Sequence, residues 1–114
     1  MAISRRKVLA LGISYGTGVI NHGNDQLAYD HALRELPDNT CYEDLVEAVE
    51  DEDAHGALEH ARDLRELCGS LSLSSLYVEA AQIVDALEGD NLPSVDEMDA
   101  LEATYRPIYE LTSH

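Results

Sequence analysis

Apolar residues recur along the chain at alternating intervals of three and four, the period of one helical face. The longest stripe lies in residues 53–73, DAHGALEHARDLRELCGSLSL, where Ala57, Ala61, Leu64, Cys68 and Leu71 share a face. The spacing predicts burial of these five, with Glu59, Arg62 and Glu66 on the outward side and two small alanines that let a neighbouring helix come close. The same period repeats on either side. Tyr29, Leu33 and Leu36 mark a helix opened by a cap at Asn24 or Asp25 and stopped by Pro37. Thr40-x-x-Glu43 reads as a capping box opening a helix that buries Leu45, Ala48 and Val49 and runs out in Glu50-Asp51-Glu52-Asp53. A Ser-rich joint at residues 70–75 bends or breaks the central helix before a stripe of Leu76, Ala80, Ile83, Val84 and Leu87, closed by Gly89-Asp90-Asn91. The last helix starts at Pro93-Ser94 with a second capping box, Ser94-x-x-Glu97. Met98, Leu101, Tyr105, Ile108 and Leu111 line its inner face, and Pro107 is expected to kink or end it.

The first twenty residues predict two shorter helices. Ser4 caps one over residues 4–11 with Gly12 as its stop, and a second spans residues 15–20 before the turn Asn21-His22-Gly23-Asn24. Ser4-Arg5-Arg6-Lys7-Val8-Leu9 also resembles a twin-arginine export signal. Gly12, Ser14, Tyr15, Gly16 and Thr17 dilute the apolar run behind it and no A-x-A site follows, so the capped helix is the simpler account. No segment predicts a strand. Short connections between amphipathic helices predict an all-α fold, an antiparallel four-helix bundle with short N-terminal helices across one end, in a single domain over residues 1–114.

Composition narrows the chemistry. Hydrophobic residues make up 45% of the chain, yet Phe and Trp are absent, so the core must be built from Leu, Val, Ile, Ala and Tyr. Seven Lys and Arg stand against 23 Asp and Glu, a formal charge of −16. That sign opposes binding to nucleic acid or an anionic membrane, and no run is long enough to span a bilayer. Cys41 and Cys68 lie far apart in sequence without C-x-x-C spacing, which fits structural thiols in a reducing cytoplasm.

The central stretch resembles the phosphate-accepting helix of histidine phosphotransfer (HPt) domains, which carry an Asp, then an Ala before H-x-L-K-G, then a small-residue segment and G-x-L-x-L. Asp53 matches the Asp, Ala61 the Ala, Leu64 the Leu, and Gly69-Ser70-Leu71-Ser72-Leu73 the closing segment; the resemblance runs from about Gly12 to the end. The reactive triplet departs from the pattern. Arg62 stands at the acceptor His, Arg65 at the Lys and Glu66 at the Gly. Phosphotransfer needs a neutral imidazole nitrogen, and a guanidinium stays protonated with no lone pair to attack with. Arg65 can still neutralise phosphate charge, but Glu66 sets a carboxylate one turn from the reacting position and repels both a phosphoryl group and an acidic receiver pocket. Arg62 and Glu66, at i and i+4, are expected to pair with each other. Shifting the register to put Leu67-Cys68-Gly69 on L-K-G moves the acceptor to Arg65 and still supplies no histidine.

The resemblance implies a response-regulator receiver domain or a sensor kinase as partner, met by a face bearing His55, Glu59, Arg62, Arg65, Glu66 and Gly69. The expected function is a non-catalytic receiver-binding adaptor or decoy of two-component phosphorelay signalling. Two alternatives stay open: an interaction or oligomerisation bundle unrelated to phosphotransfer, and a phosphocarrier using a displaced histidine. Of His22, His31, His55, His60 and His114, His55 lies two turns before Arg62 on the same face, whereas His60 points almost the opposite way. Glu52-x-x-His55 and His55-x-x-x-Glu59 have metal-ligand spacing, but the E-x-x-H occurs once, at a helix boundary and without inward carboxylate partners. No metal or cofactor is therefore expected.

Overall fold

The computed structural model describes residues 10–113; the helix expected over residues 4–11 and the arginine pair fall outside them except at the helix's end. There the chain leaves the helix at Gly12, whose φ of 72° is the left-handed conformation that a glycine stop supplies. Six helices follow in order: α1 (Tyr15–Asn21), α2 (Gln26–Arg34), α3 (Cys41–Glu50), α4 (Ala54–Ser70), α5 (Ser74–Glu88) and α6 (Val95–Thr112), with a 3₁₀ turn (Leu36–Asp38) between α2 and α3. No strand occurs among the described residues. The helices pack into a bundle in which α4 lies against both α3 and α5, and α5 against α6.

The core follows the stripes. Ala57, Ala61, Leu64 and Cys68 are fully buried and Leu71 nearly so, while Glu59, Arg62 and Glu66 are exposed. Leu76, Ala80, Ile83, Val84 and Leu87 fill the matching face of α5, and Leu101, Tyr105 and Ile108 that of α6. Val49, Met98 and Leu111 are only partly buried, packed on the core's edge. The joint expected at residues 70–75 breaks the helix within Leu71–Ser72–Leu73, with Ser72 at φ 56°.

The N-terminal elements are tied to that joint. Ser14 N donates to the Ser72 carbonyl at 2.8 Å, and Ser75 N donates to the Gly12 carbonyl at 3.2 Å. The Tyr29 hydroxyl donates to the Leu71 carbonyl at 2.6 Å, answering an acceptor that the broken helix leaves open. Its ring meets Tyr15 edge-on at 5.2 Å, and Tyr15 donates to the buried Asp30 carboxylate at 2.6 Å. Gly18 of α1 lies directly against the Tyr29 ring, where a Cβ would collide. Burial pushes the Tyr29 phenol well above its ordinary range, so it keeps the proton it donates.

Two local expectations need correction. The Thr40 capping box does not form: Thr40 sits at ψ 4° and its hydroxyl donates to Asp44, while Asn39 Oδ1 accepts from Cys41 N at 2.9 Å. The box at Ser94 does form, with both reciprocal bonds, because Ser94 is extended at ψ 163°. Pro107 does not end α6, which continues to Thr112. The Ile108 and Thr112 side chains beyond it are buried, and tertiary packing of that last turn outweighs the missing amide hydrogen. At α2 the cap is Asp25, which accepts from Leu27 N and Ala28 N.

Cys41 and Cys68 are buried free thiols. Desolvation, with help from Asp63 and Glu43, raises Cys41 to about 11; desolvation, with help from Cys41, raises Cys68 to about 12. The native protein at pH 8 should therefore react negligibly with a chromogenic disulfide reagent, and both thiols should react on unfolding in urea. Since the raised values favour the folded state only while the unfolded thiols stay protonated, their contribution holds below about pH 9 and drains away as pH climbs through 11. A melting temperature that stays flat from pH 8 to 11 would contradict this.

Candidate functional site

The face singled out by sequence is the outer side of α4. Asp53 opens that helix, its carboxylate accepting from Gly56 N at 3.0 Å, after Glu52 turns the chain at φ 56°. In its first turn, His55 is among the most exposed side chains and its Nε2 lies 3.5 Å from Glu59 Oε1. Glu52 and Asp53 precede it in sequence, so its surroundings are acidic and offer no cation to a phosphoryl group. His60 is half-buried away from this position. His22 bonds through Nδ1 to the Gly18 carbonyl at 2.8 Å, and His31 pairs with Glu35 at 2.9 Å, both on the N-terminal helices. His114 lies outside the described residues.

Arg62 occupies the centre of the face. The expected pairing with Glu66 does not occur; Arg62 Nη2 reaches across to Glu88 Oε2 on α5 at 3.3 Å. Both side chains are half exposed, so the bridge contributes roughly 0–1 kcal/mol and serves to orient the guanidinium rather than to hold the helices. Sequence reasoning missed Glu88 because the pair is set by α4 packing on α5, not by spacing along one helix. Arg65 is half-buried, and Glu66 is exposed one turn beyond Arg62.

Gly69 closes the face. A Cβ built there meets only the Tyr77 ring, at 3.5 Å, which is ordinary contact. Gly69 thus leaves Tyr77 of α5 uncovered, and Tyr77 and its neighbour Val78 are exposed aromatic and aliphatic surface. The structure brings Arg62, Glu66 and Gly69 onto one exposed side of α4 and adds Glu88 and Tyr77 from α5. It leaves His55 two turns away, and among the described residues no three His, Cys, Asp or Glu side chains gather as a metal cluster. No helix among them is long and apolar enough to cross a membrane.

Chemically, the face can hold an anion between Arg62 and Arg65 only against Glu59, Glu66 and Glu88, and it holds no unprotonated nitrogen nucleophile at position 62. Compared with known proteins, the chain matches no family model, no curated protein and no solved structure.

Proposed function

We propose that the chain is a non-catalytic binding module built on an HPt-like scaffold, in which α3 to α6 form an antiparallel four-helix bundle and the α4 face docks on response-regulator receiver domains. In that role it competes with, or sequesters receivers from, phosphotransfer partners. The observation that carries this reading is position 62: a solvent-facing arginine, held by Glu88, stands where the family pattern has the imidazole, while Asp53, Ala61, Leu64 and Gly69 to Leu73 keep the pattern around it. Arg62 there offers a fixed positive charge to a receiver's acidic pocket without taking a phosphoryl group from it.

Gly69→Glu tests the reading without disturbing the fold, since the added side chain has room beside Tyr77 and replaces a helical glycine. Immobilised receiver domains from the same genome should bind the wild-type chain. Gly69→Glu and Arg62→Glu should each weaken that binding by about tenfold or more, the size expected when a contact charge is reversed at an interface. Binding unaffected by either substitution, or absent for every receiver, sinks the proposal.

A further inference from the structure

α3 carries a second stripe at the edge of the core. Cys41, Leu45 and Ala48 point inward, whereas Tyr42, Val46 and Val49, at i, i+4 and i+7, are half-buried on the side turned toward α6. From α6, Val95, Met98, Tyr105 and Tyr109 face the same cleft. Tyr42 and Tyr105 stack across it with ring centroids 4.0 Å apart and planes 13° from parallel. On either side of that stack lie two concavities of about 270 and 260 Å³. The stack ties the two helices at one point, and beside it the cleft stays open.

The rim of the cleft is acidic. Glu43, Glu47 and Glu50 line it from α3, and Asp99, Glu102 and Glu110 from α6. The cation on this rim, Arg106, is already bound to Glu102 one turn back on its own helix. Tyr105 is 95% buried in the wall of the cleft, its hydroxyl inaccessible and without a hydrogen-bond partner among the described residues. Tyr109, exposed at the edge of the cleft, offers an aromatic ring that attracts an ammonium or guanidinium.

We propose that the α3–α6 cleft is the docking groove for a cationic amphipathic helix of a partner protein. Its apolar side chains lie on Tyr42, Val46, Val49 and Met98, and its Lys or Arg side chains meet the carboxylates of the rim. The ten residues of α3 rise about 15 Å, room for some three turns of such a helix. Charge selects the occupant. A second copy of this chain brings the same six carboxylates against themselves, and nucleic acid or an anionic lipid surface is repelled alike. The groove is distinct from the Arg62 face, which turns toward α5, so this inference does not depend on receiver binding.

The probe is a fluorescein-labelled 14-residue peptide of leucine and lysine with leucines at i, i+3, i+4 and i+7, titrated against the whole chain by anisotropy. A second peptide of identical composition, with the helical pattern scrambled, controls for diffuse attraction to a protein of charge −16. The amphipathic peptide should bind at least about tenfold tighter than the scrambled one, because only it places apolar groups on the groove floor. Glu43→Gln, Glu47→Gln and Glu50→Gln combined should lower its affinity about tenfold or more, whereas Glu35→Gln, Asp85→Asn and Asp90→Asn combined, removing equal charge elsewhere, should change it less than about twofold. Val46→Asp, with helicity checked by circular dichroism, should abolish the preference between peptides. Equal binding of the two peptides, or equal loss from the two triple variants, would show charge attraction without a groove and overturn the proposal. Amide chemical-shift changes centred on α4 and α5 instead of α3 and α6 would overturn it as well.

Discussion

Leu64→Ala should destabilise the protein by roughly 2–5 kcal/mol, the cost of removing a fully buried leucine and leaving a cavity. Leu64 is completely inaccessible at the middle of α4, the helix that packs on both α3 and α5, so the void opens where the surroundings are least free to collapse. Against a total stability of about 5–15 kcal/mol for a domain of this size, the loss should move the urea midpoint far to the left while leaving the slope unchanged. Arg62→Ala, two residues earlier on the exposed side, should cost less than about 1 kcal/mol. Equal effects at the two positions would mean that the apolar stripe is not the core.

The second large effect is a gain. On the proposed reading, Arg62→His combined with Glu66→Gly and Glu88→Gln should let the face take a single phosphate from phosphoramidate. The phosphoryl group leaves the donor nitrogen for an imidazole nitrogen, the proton that the ring sheds follows the departing ammonia, and Arg65 at i+3 shares the new charge. Glu66 and Glu88 must go as well, since Glu88 touches the group at position 62 and Glu66 lies one turn on. Peptide mapping should place the phosphate on residue 62. Labelling of the triple variant elsewhere, or none at all, would show that more than these carboxylates separates the face from a phosphoacceptor.

Much of the fold was legible in the sequence because one rule, the helical period, writes itself repeatedly into the apolar positions. Ala57 to Leu71 and Leu76 to Leu87 are buried as that period requires. Where single residues had to be read, local chemistry decided only when tertiary packing did not intervene. Ser94 is extended and caps as its motif predicts, whereas Thr40, following the 3₁₀ turn, has its backbone in another conformation and yields the capping role to Asn39. Pro107 lies inside α6 because buried Ile108 and Thr112 hold the last turn in place.

The candidate site was less legible. Exposure of Arg62, Glu59 and Glu66 followed from the stripe, but the partner of Arg62 did not, because Glu88 arrives from a different helix. The open cleft between α3 and α6 was not read from the sequence, which placed Val49 with buried Leu45 and Ala48, whereas it lies half-buried beside Tyr42 and Val46. Its meaning depends on how far α6 stands from α3, and spacing along one helix carries no information on that distance.

The proposed reading holds that no imidazole of this chain accepts a phosphoryl group. Intact mass and peptide mapping of the wild-type chain after treatment with phosphoramidate test it most directly. The surroundings of His55, with Glu59 at 3.5 Å and acidic residues before it, predict an unmodified mass. A stoichiometric, acid-labile phosphate on His55, abolished by His55→Gln, would make the protein a phosphocarrier and contradict the account.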